Sequence, residues 1–257
     1  MKYDWYKLLQ SILDVGEEMI VCGAEVSRVE DSIERMCESY GANYERINVF
    51  IITSNIQVTL ETPDGRILTQ IRRLVRQGTN FDRLDYLNDL SRYICANQPD
   101  YDEIQERLQE VMSRPEPRKL LKIFGAVIIA ASFTVFFGGN WLDSIAAGFV
   151  GLVIVLMELF FAKHEPNQVI YNFIVSFVSG VAALLLVKLG LGDHVDKIMI
   201  GGIMLLIPGI AMTNSVRDML IGDVMSGWFR LLNALLIAGA IACGFALSII
   251  LIGGGSI

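Results

Sequence analysis

Apolar and polar positions alternate along this chain with two different periods, and the period changes twice. After Asp4, apolar residues fall at Trp5, Leu8, Leu9, Ile12, Val15, Met19 and Ile20. That is the 3.6-residue spacing of a helix with one buried face. Gly23 interrupts it. A second helix is expected from Ser27, where Ser27 and Glu30 stand three residues apart as a capping box, with apolar positions at Val29, Ile33, Met36, Cys37 and Tyr40 and Gly41 as its left-handed end. The period then drops to two. In "RINVFIITSNIQVTLET", Val58 and Leu60 alternate with Gln57, Thr59 and Glu61, "PDG" at 63–65 signals a turn, and "RILTQIRRL" returns as a paired strand. Helices over Phe81–Ala96 and Pro99–Met112 complete an ααββαα reading of residues 1–113, with a strand hairpin against helices.

From residue 120 the pattern becomes almost continuously apolar. "RPEPRK", 114–119, reads as a linker whose prolines end the preceding helix. Five apolar segments follow at Leu120–Phe137, Ile145–Ala162, Val169–Val187, Ile198–Met212 and Leu231–Ile252. A membrane-crossing helix needs ~20 residues, with ~17 as a minimum. The fourth segment falls short of this, and it contains Pro208. The expected architecture is therefore an α+β cytoplasmic domain followed by a polytopic helical membrane domain of five spans, 120–257. Small residues in "AAGFVG" and "IMIGG", with Gly125, Gly180, Gly239 and Gly244, suit close helix packing.

Charge sharpens the division. Residues 119–257 carry seven basic and seven acidic residues, so the net charge of −7 resides in the first half. The first twenty residues include Asp4, Lys7, Asp14, Glu17 and Glu18, and so lack the apolar core of a signal peptide. With the first half placed inside, the inner side holds Arg114, Arg118, Lys119, Lys122, Lys163, Arg217 and Arg230, and the outer side Lys188 and Lys197. This predicts a cytoplasmic N-terminus and an external C-terminus.

The first half offers little chemistry. No histidine precedes His164, so no Ser-His or Cys-His pair forms within it, and no glycine-rich phosphate loop occurs. Asp82, Asp85 and Asp89 read as a solvated helix face rather than a metal site. Arg72, Arg73 and Arg76 suit a solvated strand edge, with an anion or partner as the alternative. Cys22, Cys37, Cys95 and Cys243 show no CxxC and are read as small buried hydrophobes. No catalytic residue, metal, cofactor or nucleic-acid partner is expected.

The costly residues lie in the second half. Glu158, in "LMELFF", either faces a cavity or reaches the interface from near a span's end. In "LLIPGIAMTNSVRDMLIGD", Pro208 and Gly209 interrupt an apolar run, and Asn214, Ser215, Arg217, Asp218 and Asp223 follow. A broken helix exposes backbone groups, which membranes tolerate only beside protein or water. Such half-helix ends recur where polar solutes bind. An interfacial ion pair of Arg217 and Asp218 on an inner loop is the plainer alternative.

"CGAEVSRVEDSIERM" with "YGA", then the strands, then "IPGIAMTNSVRDMLIGDVMSGWFRLLNALLIAGAIACG", resembles the threonine/serine exporter family over nearly the whole chain. A fused exporter of that family has two related five-span halves. Five spans behind a soluble domain resemble the larger subunit of the split, succinate-exporting type. The resemblance implies a secondary exporter subunit in a bacterial-type plasma (inner) membrane, moving a small carboxylate-bearing metabolite, threonine, serine or a dicarboxylate such as succinate. It also implies a smaller multi-span partner. On this reading Pro208, Gly209, Asn214, Ser215 and Arg217 meet the substrate, and Glu158, Asp218 or Asp223 carries a coupled proton. A membrane-anchored regulatory or enzymatic module, and a homo-oligomeric channel, are the competing readings.

Overall fold

A computed structural model describes residues 4–52, 55–74, 78–115, 118–161 and 167–253. Arg76, Lys163, His164, the end of the second expected apolar segment, Ala162, and Glu116–Pro117 of the expected linker lie outside them. The chain divides into two units, Met1–Pro115 with Thr213–Arg230, and Glu116–Met212 with Leu231–Ile257.

In the first unit, the Asp4 carboxylate accepts from the N–H groups of Tyr6 and Lys7 at 3.1 and 3.4 Å and starts α1, Trp5–Val21. Leu8, Leu9, Ile12, Val15 and Met19 form its buried stripe. Gly23, at φ 96°, turns the chain. α2, Val26–Ser39, begins one residue before Ser27, and Glu25 occupies the cap position without a side-chain cap bond. The expected capping box is therefore absent: Ser27 lies inside the helix rather than at its cap, and the Glu30 carboxylate accepts from Ile51 N–H instead. Gly41, at φ 93°, ends α2 as expected.

The β-period stretch forms three strands rather than two, so the order is ααβββαα. β1, Asn48–Ile52, pairs antiparallel with β2, Asn55–Glu61, in the register Ile52↔Asn55, and β2 pairs with β3, Ile67–Arg73. The polar step Thr53-Ser54-Asn55 is the sequence signal of this division, inside a run that otherwise reads as a single strand. Ile51, Ile56, Val58 and Leu60 face the core, while Phe50, Ile67 and Ile71 are exposed. The "PDG" turn is present, with Gly65 at φ 80° and its N–H donating to Thr62 O. Arg72 pairs with Asp14 of α1 at 3.1 Å. α3, Phe81–Asn97, and α4, Tyr101–Ser113, close the core, and Asp82, Asp85 and Asp89 are exposed.

The second unit contains α5, Lys119–Phe136, α6, Trp141–Phe161, and α7, Gln168–Lys188. α8, Val195–Leu206, also lies in it, and α9, Gly209–Leu220, starts in it. α10, Val224–Ile252, begins in the first unit and continues in the second. Four of these helices are long and apolar enough to cross a membrane, or five if α8 and α9, bent by 57°, make one span. The fourth apolar segment is thus longer than its pattern suggests but broken, and α10 starts seven residues before Leu231. The protein is mostly helical and multi-pass.

Small residues bring these helices together. A methyl added at Gly151 would stand 2.8 Å from Ala126 O of α5, and one at Gly201 2.5 Å from Ala130 O. A methyl at Gly125 or Gly239, in contrast, would meet nothing within 4 Å among the described residues, so packing between these does not explain them. Asp143, in the first turn of α6, ties the α5–α6 and α7–α8 turns together. Its Oδ1 accepts from the N–H groups of Asp193 and His194 at 2.7 and 3.0 Å. Its Oδ2 accepts from Asn140 N–H at 2.9 Å and lies 2.8 Å from His194 Nδ1. Cys22 and Cys37 are buried and Cys95 half-buried, but Cys243 is exposed on the outward side of α10, against the expectation for it.

Candidate functional site

Proline dictates the break between α8 and α9. It lacks an N–H and disfavours helical geometry in the residue before it. Ile207 accordingly adopts φ −62°, ψ 130°, and α8 ends. α9 starts afresh, with Met212 N–H donating to Pro208 O at 3.0 Å. Pro208 and Gly209 lie in the second unit, and Glu158 is exposed one turn from the end of α6 in the same unit. Asn214, Ser215, Arg217, Asp218 and Asp223 belong to the first.

There the segment 213–230 folds back on itself and onto α2 and β1. Gly222, at φ 110°, allows the turn, and Asp223 N–H closes it on Asp218 O at 2.9 Å. Gly227 lets the start of α10 approach α9 so closely that a methyl there would stand 2.6 Å from Ser215 O. β1 is a sheet edge, and at Ile51, opposite Ile56, both outward backbone groups are taken up by side chains. Ile51 N–H donates to Glu30 Oε1 at 3.2 Å, and Ser226 Oγ donates to Ile51 O at 2.9 Å. Edge groups that would otherwise invite another strand are capped from α2 on one side and α10 on the other.

Charged groups cluster around this clamp. Arg217 Nη1 lies 2.5 Å from Glu25 Oε1, yet 58% of the Arg217 side chain remains exposed. Asp218 is fully buried and faces Arg230 Nη1 at 3.2 Å, while among the described residues neither of its oxygens accepts a hydrogen bond. Burial first, and then the charge of Asp223, push the Glu30 carboxyl up to about 7, with Glu34 and Asp218 adding to the rise and Ile51 N–H opposing it. Ser215 is fully buried and Asn214 half-buried.

The structure therefore brings Arg217, Asp218 and Asp223 together, and adds Glu25, Glu30, Ser226 and Arg230, which the sequence reading left out. Glu25 and Glu30 sit inside "CGAEVSRVEDSIERM", one of the two stretches that carry the resemblance. Each reads locally as a polar position of an amphipathic helix, so no local signal marks its part in this cluster.

Comparison with known proteins assigns the chain to a family. The family described as "Putative threonine/serine exporter" matches residues 10–252. The threonine/serine exporter of Corynebacterium glutamicum is 22% identical over 240 residues, covering 91% of this chain and 49% of that protein. The probable threonine/serine exporter of Mycobacterium tuberculosis is 24% identical, over 95% of this chain and 46% of its own length. This chain thus spans about half the length of those relatives. The probable succinate transporter subunit YjjP of Escherichia coli is 22% identical over 92% of this chain and 91% of its own length. No solved structure matches significantly. The family is one of exporters rather than enzymes, and with 243 residues matched in order across both units, this chain belongs to the threonine/serine exporter family.

Proposed function

We propose that the chain is one subunit of a secondary exporter of a small carboxylate-bearing metabolite, threonine, serine or a dicarboxylate such as succinate. The observation that supports this most is the 57° break between α8 and α9 at Pro208–Gly209 in an otherwise apolar bundle. Broken spans of this kind, two half-helices meeting at a proline, recur where polar solutes bind in membrane transporters. Pro208 and Gly209 shape the break, and Asn214, Ser215 and Arg217 bind substrate. Arg217 suits a carboxylate because its planar fork keeps donors available beyond the one that Glu25 takes. A substrate carboxylate competes with Glu25 for it, so binding and release become an exchange of acidic partners. Asp218 and Asp223 carry the coupled proton. Glu158, exposed near a helix end, is the weaker candidate for that task.

The length comparison supports a second, smaller multi-span chain as partner: this chain covers nearly all of a protein named a subunit and about half of the fused exporters. The basic residues support insertion in a bacterial inner membrane with the N-terminus cytoplasmic and the C-terminus outside. Proteoliposomes loaded with labelled threonine, serine or succinate, with and without a proton gradient, test the reading. Efflux that requires the second chain supports the split exporter, whereas efflux by this chain alone supports a homo-oligomer. Arg217→Gln is expected to raise the half-saturating substrate concentration at least tenfold, and unchanged efflux removes Arg217 from the site.

A further inference from the structure

α7 carries Asn172, Ser176 and Ser179 at intervals of four and three, which stacks them on one helix face. All three are buried, Ser176 and Ser179 fully. Ser176 is eight residues from the start of α7 and Ser179 nine from its end. At ~1.5 Å per residue they lie roughly 12–14 Å from either end, near the middle of a ~30 Å hydrocarbon layer.

Among the described residues, the hydroxyls of both serines have no hydrogen-bond partner. Other hydroxyls in the same unit do. Thr134 donates to Ala130 O at 2.9 Å, Ser144 to Ala131 O at 3.1 Å, and Ser248 to Phe245 O at 2.7 Å. Asn172 Nδ2 likewise donates to Gln168 O at 2.7 Å. Returning a hydroxyl to the carbonyl one turn back is the ordinary way to shelter it in a membrane helix, and Ser176 and Ser179 depart from it.

Packing accounts for the size of these residues but not for their oxygen. α10 approaches this face through Gly244, where a methyl would stand 2.8 Å from Ser176 Cβ and 2.5 Å from Phe173 O. A small side chain is required there, and alanine meets that requirement with no polar atom to bury. Two hydroxyls one turn apart can donate to carboxylate oxygens and accept from an ammonium or hydroxyl group. Having no charge, they hold such a solute without trapping it as a fixed cation would.

We infer that Ser176 and Ser179, with Asn172, form an uncharged hydrogen-bonding station for the exported carboxylate solute at mid-membrane depth. The inference rests on the exporter reading. The test uses alanine, which keeps the size and removes only the hydroxyl. In proteoliposomes holding the complete transporter, S176A/S179A is expected to lower efflux at low substrate at least tenfold, with an unchanged melting temperature. Wild-type efflux in the double variant overturns the station while leaving the exporter reading intact.

A second readout does not depend on flux. S176C and S179C, treated in membranes with a small charged methanethiosulfonate reagent and located by peptide mass spectrometry against the four native cysteines, are expected to react, and threonine, serine or succinate is expected to slow the reaction. Reaction slowed by one of these solutes, with no efflux from the wild type, retains the station and rejects the exporter. Absence of reaction at both positions overturns the station.

Discussion

Asp143 and Asp218 are both fully buried, but Asp143 holds three backbone N–H groups and a histidine, while Asp218, among the described residues, accepts no hydrogen bond and faces Arg230 at 3.2 Å. A buried charge is tolerable when hydrogen bonds replace its water, and expensive when they do not. Asp143 meets that condition and has no accepting capacity left, so its role is to fix two turns. Asp218 does not meet it. Its oxygens keep the capacity to take up a proton or a donor, which is what a coupling residue needs and a structural one does not. The same residue type at the same burial thus divides into a fastener and a candidate working group by its partners alone.

The largest effect that can test this contrast is on stability. Asp143→Ala strands the N–H groups of Asn140, Asp193 and His194, and is expected to cost about 3–5 kcal/mol. Thermal unfolding in detergent should show a large fall in melting temperature, or the protein should fail to accumulate. Asp218→Asn should be milder, roughly 1–2 kcal/mol, because no hydrogen bond is forfeited and Arg230 keeps some exposed surface. Its effect should appear in transport instead, as at least a tenfold loss of efflux and loss of its response to a proton gradient. If Asp218→Asn unfolds the protein as readily as Asp143→Ala, both carboxylates are fasteners and the contrast collapses.

The sequence singled out one of these two residues as a candidate. Asp218 was legible because it follows a proline-broken apolar run, where a charge is conspicuous. Asp143 was not, because it sits just before an apolar segment, and only the fold brings Asp193 and His194 to it across about fifty positions. The helices of the first unit were legible for the same reason as Asp218: strong periodicity, an Asp cap and glycine ends are local signals. The third strand was marked only weakly, by the short polar step Thr53-Ser54-Asn55 inside a run that otherwise reads as one strand. The return of residues 213–230 to α2 and β1 was hidden more deeply. Glu25, Glu30, Ser226 and Arg230 each read as an ordinary helix residue, and their meeting is a tertiary fact. Assigning Glu30 to a capping box shows the risk: a local motif claimed a carboxylate that a distant N–H uses.

Glu30 gives the finest test, because it stands between the two cases, with one hydrogen bond and three acidic neighbours, Glu34 on its own helix and Asp218 and Asp223 from the returning segment. Its folded-state value, about 7, lies above the ordinary value of 4.5. The folded protein therefore binds a proton there that the unfolded chain releases, and this contribution to stability falls as pH rises from 4.5 through 7. Glu30→Gln keeps an acceptor for Ile51 N–H and removes the charge. Its melting temperature should match the wild type near pH 4.5, exceed it increasingly towards pH 7, and hold a constant margin above pH 8. A margin that does not change with pH would place the titration elsewhere in the cluster. A margin that disappears when Asp223→Asn is added would identify Asp223 as the neighbour whose charge Glu30 resists, since two groups in contact do not act additively.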